Sequence, residues 1–100
     1  MKNINEMNPV RDHTVMYYVY VIQNNKGTWY TGSTRDLRKR LREHNQGKST
    51  WTKGKGEWKI IYYEACTQEQ DARSREIYLK SGMGKRYLKS RLKRFLSLTG

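Results

Sequence analysis

MYYVYVIQNNKGTWYTGS, residues 16–33, decides the architecture of this chain. Met16 to Gln23 is rich in Val, Ile and Tyr, residues that favour a strand. Tyr17, Val19 and Val21 point one way, and Met16, Tyr18, Tyr20 and Ile22 point the other. Both faces are apolar, so this strand is expected to be covered on both sides. Asn24-Asn25-Lys26-Gly27 supplies turn chemistry, with Gly27 suited to a positive φ angle. Thr28 to Ser33 then returns as a second, antiparallel strand.

Working outward, Arg35 to Gln46 reads as a helix, with Thr34 as N-cap and Gly47 as stop. Its apolar stripe runs Leu37, Leu41, His44 at i, i+4, i+7 spacing. Lys48 to Gly56 is a basic, Gly-containing loop around Trp51, and Trp58 to Ala65 is a third strand, apolar on both faces. Thr67 with Gln70 fits a capping box for a second helix running to about Lys80. Ser81-Gly82-Met83-Gly84 breaks it, and Lys85 to about Leu96 forms a third helix with Leu88, Leu92, Phe95 and Leu96 on one stripe. The order β-β-α-β-α-α predicts an α/β (α+β) domain over 15–96, a small, mostly antiparallel three-stranded sheet packed by about three helices. Residues 1–14, which hold the only proline, are read as a flexible extension.

The balance of 21 Lys+Arg against 9 Asp+Glu gives a net charge of +12, a field that favours a polyanionic partner. After Glu76 no acidic residue follows, while Lys85, Arg86, Lys89 and further cations do. A basic ribosome-associated protein fits the charge equally well. Cys66 is the only cysteine, which rules out an internal disulfide or a cysteine-based zinc site. The polar start and the short longest apolar run, Val15 to Ile22, argue against a signal peptide or a membrane span. A cytoplasmic location is expected.

Helical geometry then selects residues for chemistry. Glu76 falls on the stripe of Ala72, Leu79 and Met83, where a carboxylate is costly unless it meets a cation or metal. A structural salt bridge is the bland reading. Arg40 sits at the edge of the Leu37–Leu41 stripe, fit to present donors to a phosphate or simply to cover the core edge. His44 is a core-edge histidine or a general acid–base. Tyr20 and Tyr30 are packing residues unless nearby cations ease loss of a proton. Lys48, Lys53 and Lys55 around Trp51 suit either a DNA-contacting loop or a solvated one. Gly47-Lys48-Ser49-Thr50 is no nucleotide loop, because Arg42 stands where the motif needs a glycine.

Taken together, YVYVI, YTGSTRDLRKRLREHNQGK, WKIIYYE, ARSREIYLKSG and GKRYLKSRLK closely resemble GIY-YIG nuclease domains. The likeness is nearest to small stand-alone proteins related to the N-terminal domain of the excinuclease ABC nuclease, and spans roughly residues 15–95. The tyrosine triplets here are the variants Tyr18-Val19-Tyr20 and Tyr30-Thr31-Gly32. The resemblance implies a metal-dependent DNA endonuclease of repair or processing. It makes Tyr20 and Tyr30 the active-site tyrosines, Arg40 the phosphate-binding arginine, His44 the helix histidine and Glu76 the ligand of a single Mg²⁺ or Mn²⁺. Lys48, Trp51, Lys53, Lys55, Lys85, Arg86, Lys89 and Ser90 are the expected DNA contacts, and branched or damaged DNA, with a protein partner for targeting, the expected company. Ser90 stands where related proteins often have Asn, a shorter side chain with a hydroxyl in place of an amide. The alternative is a catalytically weak module that binds structured DNA or RNA.

Overall fold

A computed structural model describes residues 15–99; the expected N-terminal extension lies outside them. The first two strands, β1 (Tyr17–Asn24) and β2 (Trp29–Thr34), form the expected hairpin. The Asn24 side chain builds its turn, accepting from Lys26 N at 3.0 Å and Thr28 N at 2.9 Å, while Gly27 takes a φ of 82°. Helix α1 (Leu37–Asn45) follows, then β3 (Trp58–Cys66), α2 (Glu69–Lys80), α3 (Gly82–Arg91) and α4 (Lys93–Thr99). The sheet order is β2-β1-β3, antiparallel throughout, so the most apolar strand is central.

Alternation along β1 sorts the core into two halves. Val19 and Val21 pack with Ala72, Leu79 and Leu88 from α2 and α3. Tyr20 and Ile22 pack on the other face with Trp58, Tyr30 and Ile60, and with Leu37 and Leu41 from α1. A bulge keeps both halves filled: Val21 pairs with Tyr62 but Ile22 with Ile60, leaving Ile61 as the extra residue.

Several boundaries differ from the sequence reading. Helix α1 starts at Leu37 because Asp36, not Thr34, is the N-cap, its carboxylate accepting from Lys39 N at 3.0 Å. Thr34 serves the preceding turn, accepting from Asp36 N. The expected Thr67 capping box does not form; Gln68 is the N-cap of α2 and makes no side-chain cap bond. β3 packs on both faces but is an edge strand, paired with β1 alone, and Tyr63 is 55% exposed. Met83 is exposed instead of sharing the apolar stripe with Glu76.

The Ser81–Gly84 stretch starts a helix instead of breaking one. Ser81 Oγ accepts from Gly84 N at 3.1 Å and caps α3. A Cβ on Gly84 would collide with the Tyr78 carbonyl and come within 2.5 Å of Leu79 Cα. That glycine lets α3 fold tightly against the end of α2. The expected third helix is also two, since α3 is capped at Leu92 and α4 begins at Lys93.

Candidate active site

The even-numbered face of β1 carries a polar chain through otherwise apolar packing. Tyr20, 2% exposed, brings its hydroxyl 2.8 Å from His44 Nε2, and His44 Nδ1 lies 2.7 Å from Thr52 Oγ1. Local structure explains each position. Tyr20 pairs with Gly32 in the β1–β2 register. A Cβ on Gly32 would lie 2.6 Å from the Tyr20 hydroxyl and 3.1 Å from the Tyr30 ring, so glycine leaves the space both tyrosines use. His44 occupies the last turn of α1, and its ring meets Tyr30 edge-on at 5.0 Å and Tyr20 at 5.8 Å.

Arg40 stands one turn before His44. It donates to Glu43 Oε1 at 3.1 Å and lies close enough to Tyr20 for its charge to act on the hydroxyl. Partial burial opposes its charge, but Tyr20 and Glu43 hold its pKa above the ordinary arginine value. Glu76, on α2, reaches the same edge of the sheet from the other side, beside Ser33 of β2. Lys80 Nζ donates to Glu76 Oε2 at 2.8 Å. Burial would raise this carboxylate's pKa; Lys80, Ser33 and the charge of Arg73 hold it down instead. Tyr20 and His44 are therefore bonded, Tyr30 packs against both rings, and Arg40 and Glu76 act on Tyr20 through their charges.

These contacts set the resting protonation. Burial pushes the Tyr20 hydroxyl up to about 12; Arg40 pulls against that, while Tyr30 and Glu76 reinforce it. Burial, then the Arg40 charge, lowers His44 to about 4. Both groups are neutral near pH 7. Burial therefore disfavours both a resting phenolate on Tyr20 and a resting imidazolium at His44, so the hydroxyl serves best as a base while its own proton passes on.

Among the described residues no three His, Cys, Asp or Glu side chains cluster as metal ligands. Glu76 still fits a hard cation, because Mg²⁺ commonly takes one or two carboxylates and fills its remaining positions with water and phosphate oxygens. The ionised, half-buried carboxylate is such a donor once Lys80 swings away.

Beside the tyrosines, Trp51 is 48% exposed, with its ring 5.5 Å from Tyr30 and Lys55 Nζ 3.4 Å from its centre. A cavity of about 300 Å³ is lined by Tyr30, Trp51, Lys80, Lys85 and Trp29 among others. Trp29 and Lys85 also line a second, larger groove of about 930 Å³, which adds Lys26, Lys59 and Lys89. Through the shared Trp29 and Lys85 the two make a mostly basic track leading away from Tyr30, with Glu57 as the acid in its lining. Of the expected DNA contacts, Trp51, Lys85 and Lys89 line this track and Lys55 covers Trp51. Lys48, Lys53, Arg86 and Ser90 are exposed, and Arg86 and Ser90 project from the next positions around α3.

Sequence reasoning missed Thr52, Lys80, Ser33 and the Lys26–Lys59 end of the track. Thr52 is 1% exposed inside a loop that reads as solvated. Its burial comes from contacts distant in sequence. Trp58 Nε1 donates to its carbonyl at 3.1 Å, and Asn45 clamps the Trp58 backbone through bonds of 3.0 and 2.7 Å. The Lys80 contact had a legible signal, the i, i+4 spacing from Glu76.

The chain resembles known proteins over most of its described length. The family model described as the GIY-YIG catalytic domain matches residues 16–95. A UPF0213 protein of Clostridium perfringens is 39% identical over 66 residues, covering 65% of this chain and 71% of that protein. A UPF0213 protein of Streptococcus agalactiae is 39% identical over 64 residues, covering 63% and 73%. The solution NMR structure of the UPF0213 protein BH0048 from Bacillus halodurans shares 32% identity, covers 75% of this chain and 83% of its own, and superposes with a TM-score of 0.48.

Proposed function

The chain belongs to the GIY-YIG family, whose catalytic domain implies a nuclease, and from that premise we propose that it is a divalent-metal-dependent DNA endonuclease working in DNA processing or repair. The observation that carries the reading is the Tyr20–His44 hydrogen bond of 2.8 Å, with the Arg40 charge acting on the same hydroxyl. That trio joins a proton donor, a neutral acceptor and a fixed cation at one point, which is what attack of water on a phosphodiester requires.

Tyr20 takes the proton of the attacking water as its own proton moves to His44 Nε2. Neither ion has to exist beforehand, which avoids the cost of a free phenolate. Arg40 offers its remaining donors to a phosphate oxygen and neutralises charge that grows in the transition state. Tyr30 borders Tyr20 and Trp51 and orients the strand. Glu76 would hold Mg²⁺ or Mn²⁺, and the ion would supply Lewis-acid stabilisation of the charge that grows on the phosphate. The strand continues along the basic track past Trp29 and Lys85, held by its phosphates with no base readout.

Among the described residues no helix is long and apolar enough to cross a membrane, and with a lone free Cys66 we place the protein in the cytoplasm. A second reading, a binding module of weak activity, is favoured by one observation: Lys80 Nζ already sits 2.8 Å from the carboxylate that the metal needs.

Cleavage of labelled linear, single-stranded, flapped and four-way DNA with Mn²⁺ or Mg²⁺, beside Glu76→Ala, tests the proposal. Metal-dependent cutting that disappears in the variant is the expected result. Cutting that persists in Glu76→Ala removes the proposed site. If neither protein cuts and both bind with steep salt dependence, the binding module stands instead, and preference for RNA over DNA would point to a ribosomal role.

A further inference from the structure

The hydrogen-bond chain that begins at Tyr20 does not stop at His44. It continues to Thr52, in the loop between α1 and β3. The heavy atoms alone allow two polarities. In one, Thr52 donates to Nδ1, and Nε2–H donates to Tyr20. In the other, Nδ1–H donates to Thr52, and Tyr20 donates to Nε2.

The outer neighbours decide between them. Ser49 O lies 3.4 Å from Thr52 Oγ1, and a carbonyl only accepts, so the threonine proton is drawn there and Oγ1 accepts from Nδ1–H. At the other end the Tyr20 hydroxyl has His44 Nε2 as its hydrogen-bond partner, and nearby Arg40 offers only donors, so the guanidinium cannot take the tyrosine's proton. That proton is then left for Nε2. The reverse polarity would have Tyr20 accept from Nε2–H and strand its own proton in a site where the residue is 2% exposed. Only the second polarity gives every proton an acceptor, in keeping with a structure that leaves no buried side-chain polar atom unpartnered among the described residues.

We propose that Thr52 is a positioning residue: by accepting from Nδ1–H it fixes neutral His44 in the tautomer whose Nε2 lone pair faces the Tyr20 hydroxyl. The same acceptor supports the imidazolium once Nε2 gains the proton, because Nδ1–H stays bonded to Oγ1 in both states. In the relay an O–H bond of water breaks and a new O–H forms on Tyr20. The old Tyr20 O–H breaks and Nε2–H forms, while the water's electron pair attacks phosphorus and the P–O bond to the leaving strand breaks, its electron pair staying on an oxygen that takes a proton from solvent. One proton leaves water, one arrives on His44, and Tyr20 ends neutral. Thr52 is fit for this task because its backbone is pinned by Trp58 and its side chain is closed off from solvent. The kinetic part rests on the nuclease reading; the tautomer does not.

The test is the ¹⁵N spectrum of His44 at neutral pH in the wild type, Thr52→Ser and Thr52→Val, followed by single-turnover cleavage. The expected wild-type ring is protonated at Nδ1 with a free Nε2 lone pair. Thr52→Ser keeps that tautomer and the rate. Thr52→Val moves His44 toward Nε2–H and lowers the saturating single-turnover rate about 10- to 100-fold, with half-saturation little changed. A wild-type ring protonated at Nε2 overturns the proposal without any variant, even where Thr52→Val fails to fold. So does Thr52→Val keeping the Nδ1–H form, or Thr52→Ser losing rate as Thr52→Val does. If the wild type does not cleave DNA, the nuclease reading fails while the spectra still decide the tautomer.

Discussion

Two clusters of tyrosine, arginine and glutamate lie on opposite faces of one three-stranded sheet, and they differ in how completely their members satisfy one another. On the α2 face, Glu64 accepts three bonds from Arg75 at 2.9, 3.1 and 3.0 Å and a fourth from the Tyr62 hydroxyl at 2.7 Å. Arg75 also lies 4.9 Å from the centres of both the Tyr78 and Tyr87 rings. The bonds from Arg75 and Tyr62 outweigh burial and hold the Glu64 carboxyl below its usual range, and burial with its hydroxyl partners drives Tyr62 far up. On the α1 face, Arg40 makes one bond to a carboxylate, at 3.1 Å, and otherwise acts on the neutral Tyr20 hydroxyl through its charge. The same residue types make a closed strut in one place and an open site in the other. Unspent donors, more than residue identity, separate a structural cluster from a reactive one.

Paired arginine substitutions probe that contrast at its largest. Arg40→Ala should lower the single-turnover cleavage rate by about 10²–10³ and leave the melting temperature nearly unchanged. Arg75→Ala should leave the rate per folded molecule alone and cost on the order of 1 kcal/mol in stability, since the pair is partly solvated. Equal losses of rate in both would break the distinction.

Acidification should sharpen it. Burial and Arg40 hold folded His44 near 4 against an ordinary 6.5, so the unfolded chain takes up the proton first. The stability contributed by the neutral ring is complete above about pH 6.5 and is lost as pH falls toward 4, by up to about 3 kcal/mol. Glu64 and Glu76 have lowered values and act in the same direction only below about 4.5. Denaturant titrations between pH 7 and 5 should therefore show a fall that His44→Gln removes. The smallest effect belongs to the rim. Trp51→Ala should weaken DNA binding by about 1–3 kcal/mol, the worth of one stacked base, without altering stability; unchanged affinity would take Trp51 out of the track.

Much of this was legible because it depends on short-range period. β1 alternates, and its two apolar faces predict a central strand with Val19 and Tyr20 in different halves of the core. Arg40 and His44 share a helix edge by spacing alone. The remainder depends on contacts between distant segments. Thr52 looks like one more polar residue in a basic loop until Trp58 and Asn45 close over it. Gly84 reads as a helix breaker because glycine is a poor helix former, yet close packing against Tyr78 and Leu79 requires it. β3 is apolar enough for a central strand, and only pairing order reveals it as an edge.

Tyr20 and Val21 are adjacent in β1, both at least 98% shielded from solvent, and belong to opposite faces. The most direct measurement is therefore single-turnover DNA cleavage and thermal stability for Tyr20→Phe beside Val21→Ala. Tyr20→Phe should cost about 10²–10⁴ in rate with a small change in stability. Val21→Ala should cost about 1.5–3 kcal/mol in stability with the rate per folded molecule preserved. Full activity in Tyr20→Phe, or matched losses in the two variants, would contradict the assignment of chemistry to the α1 face.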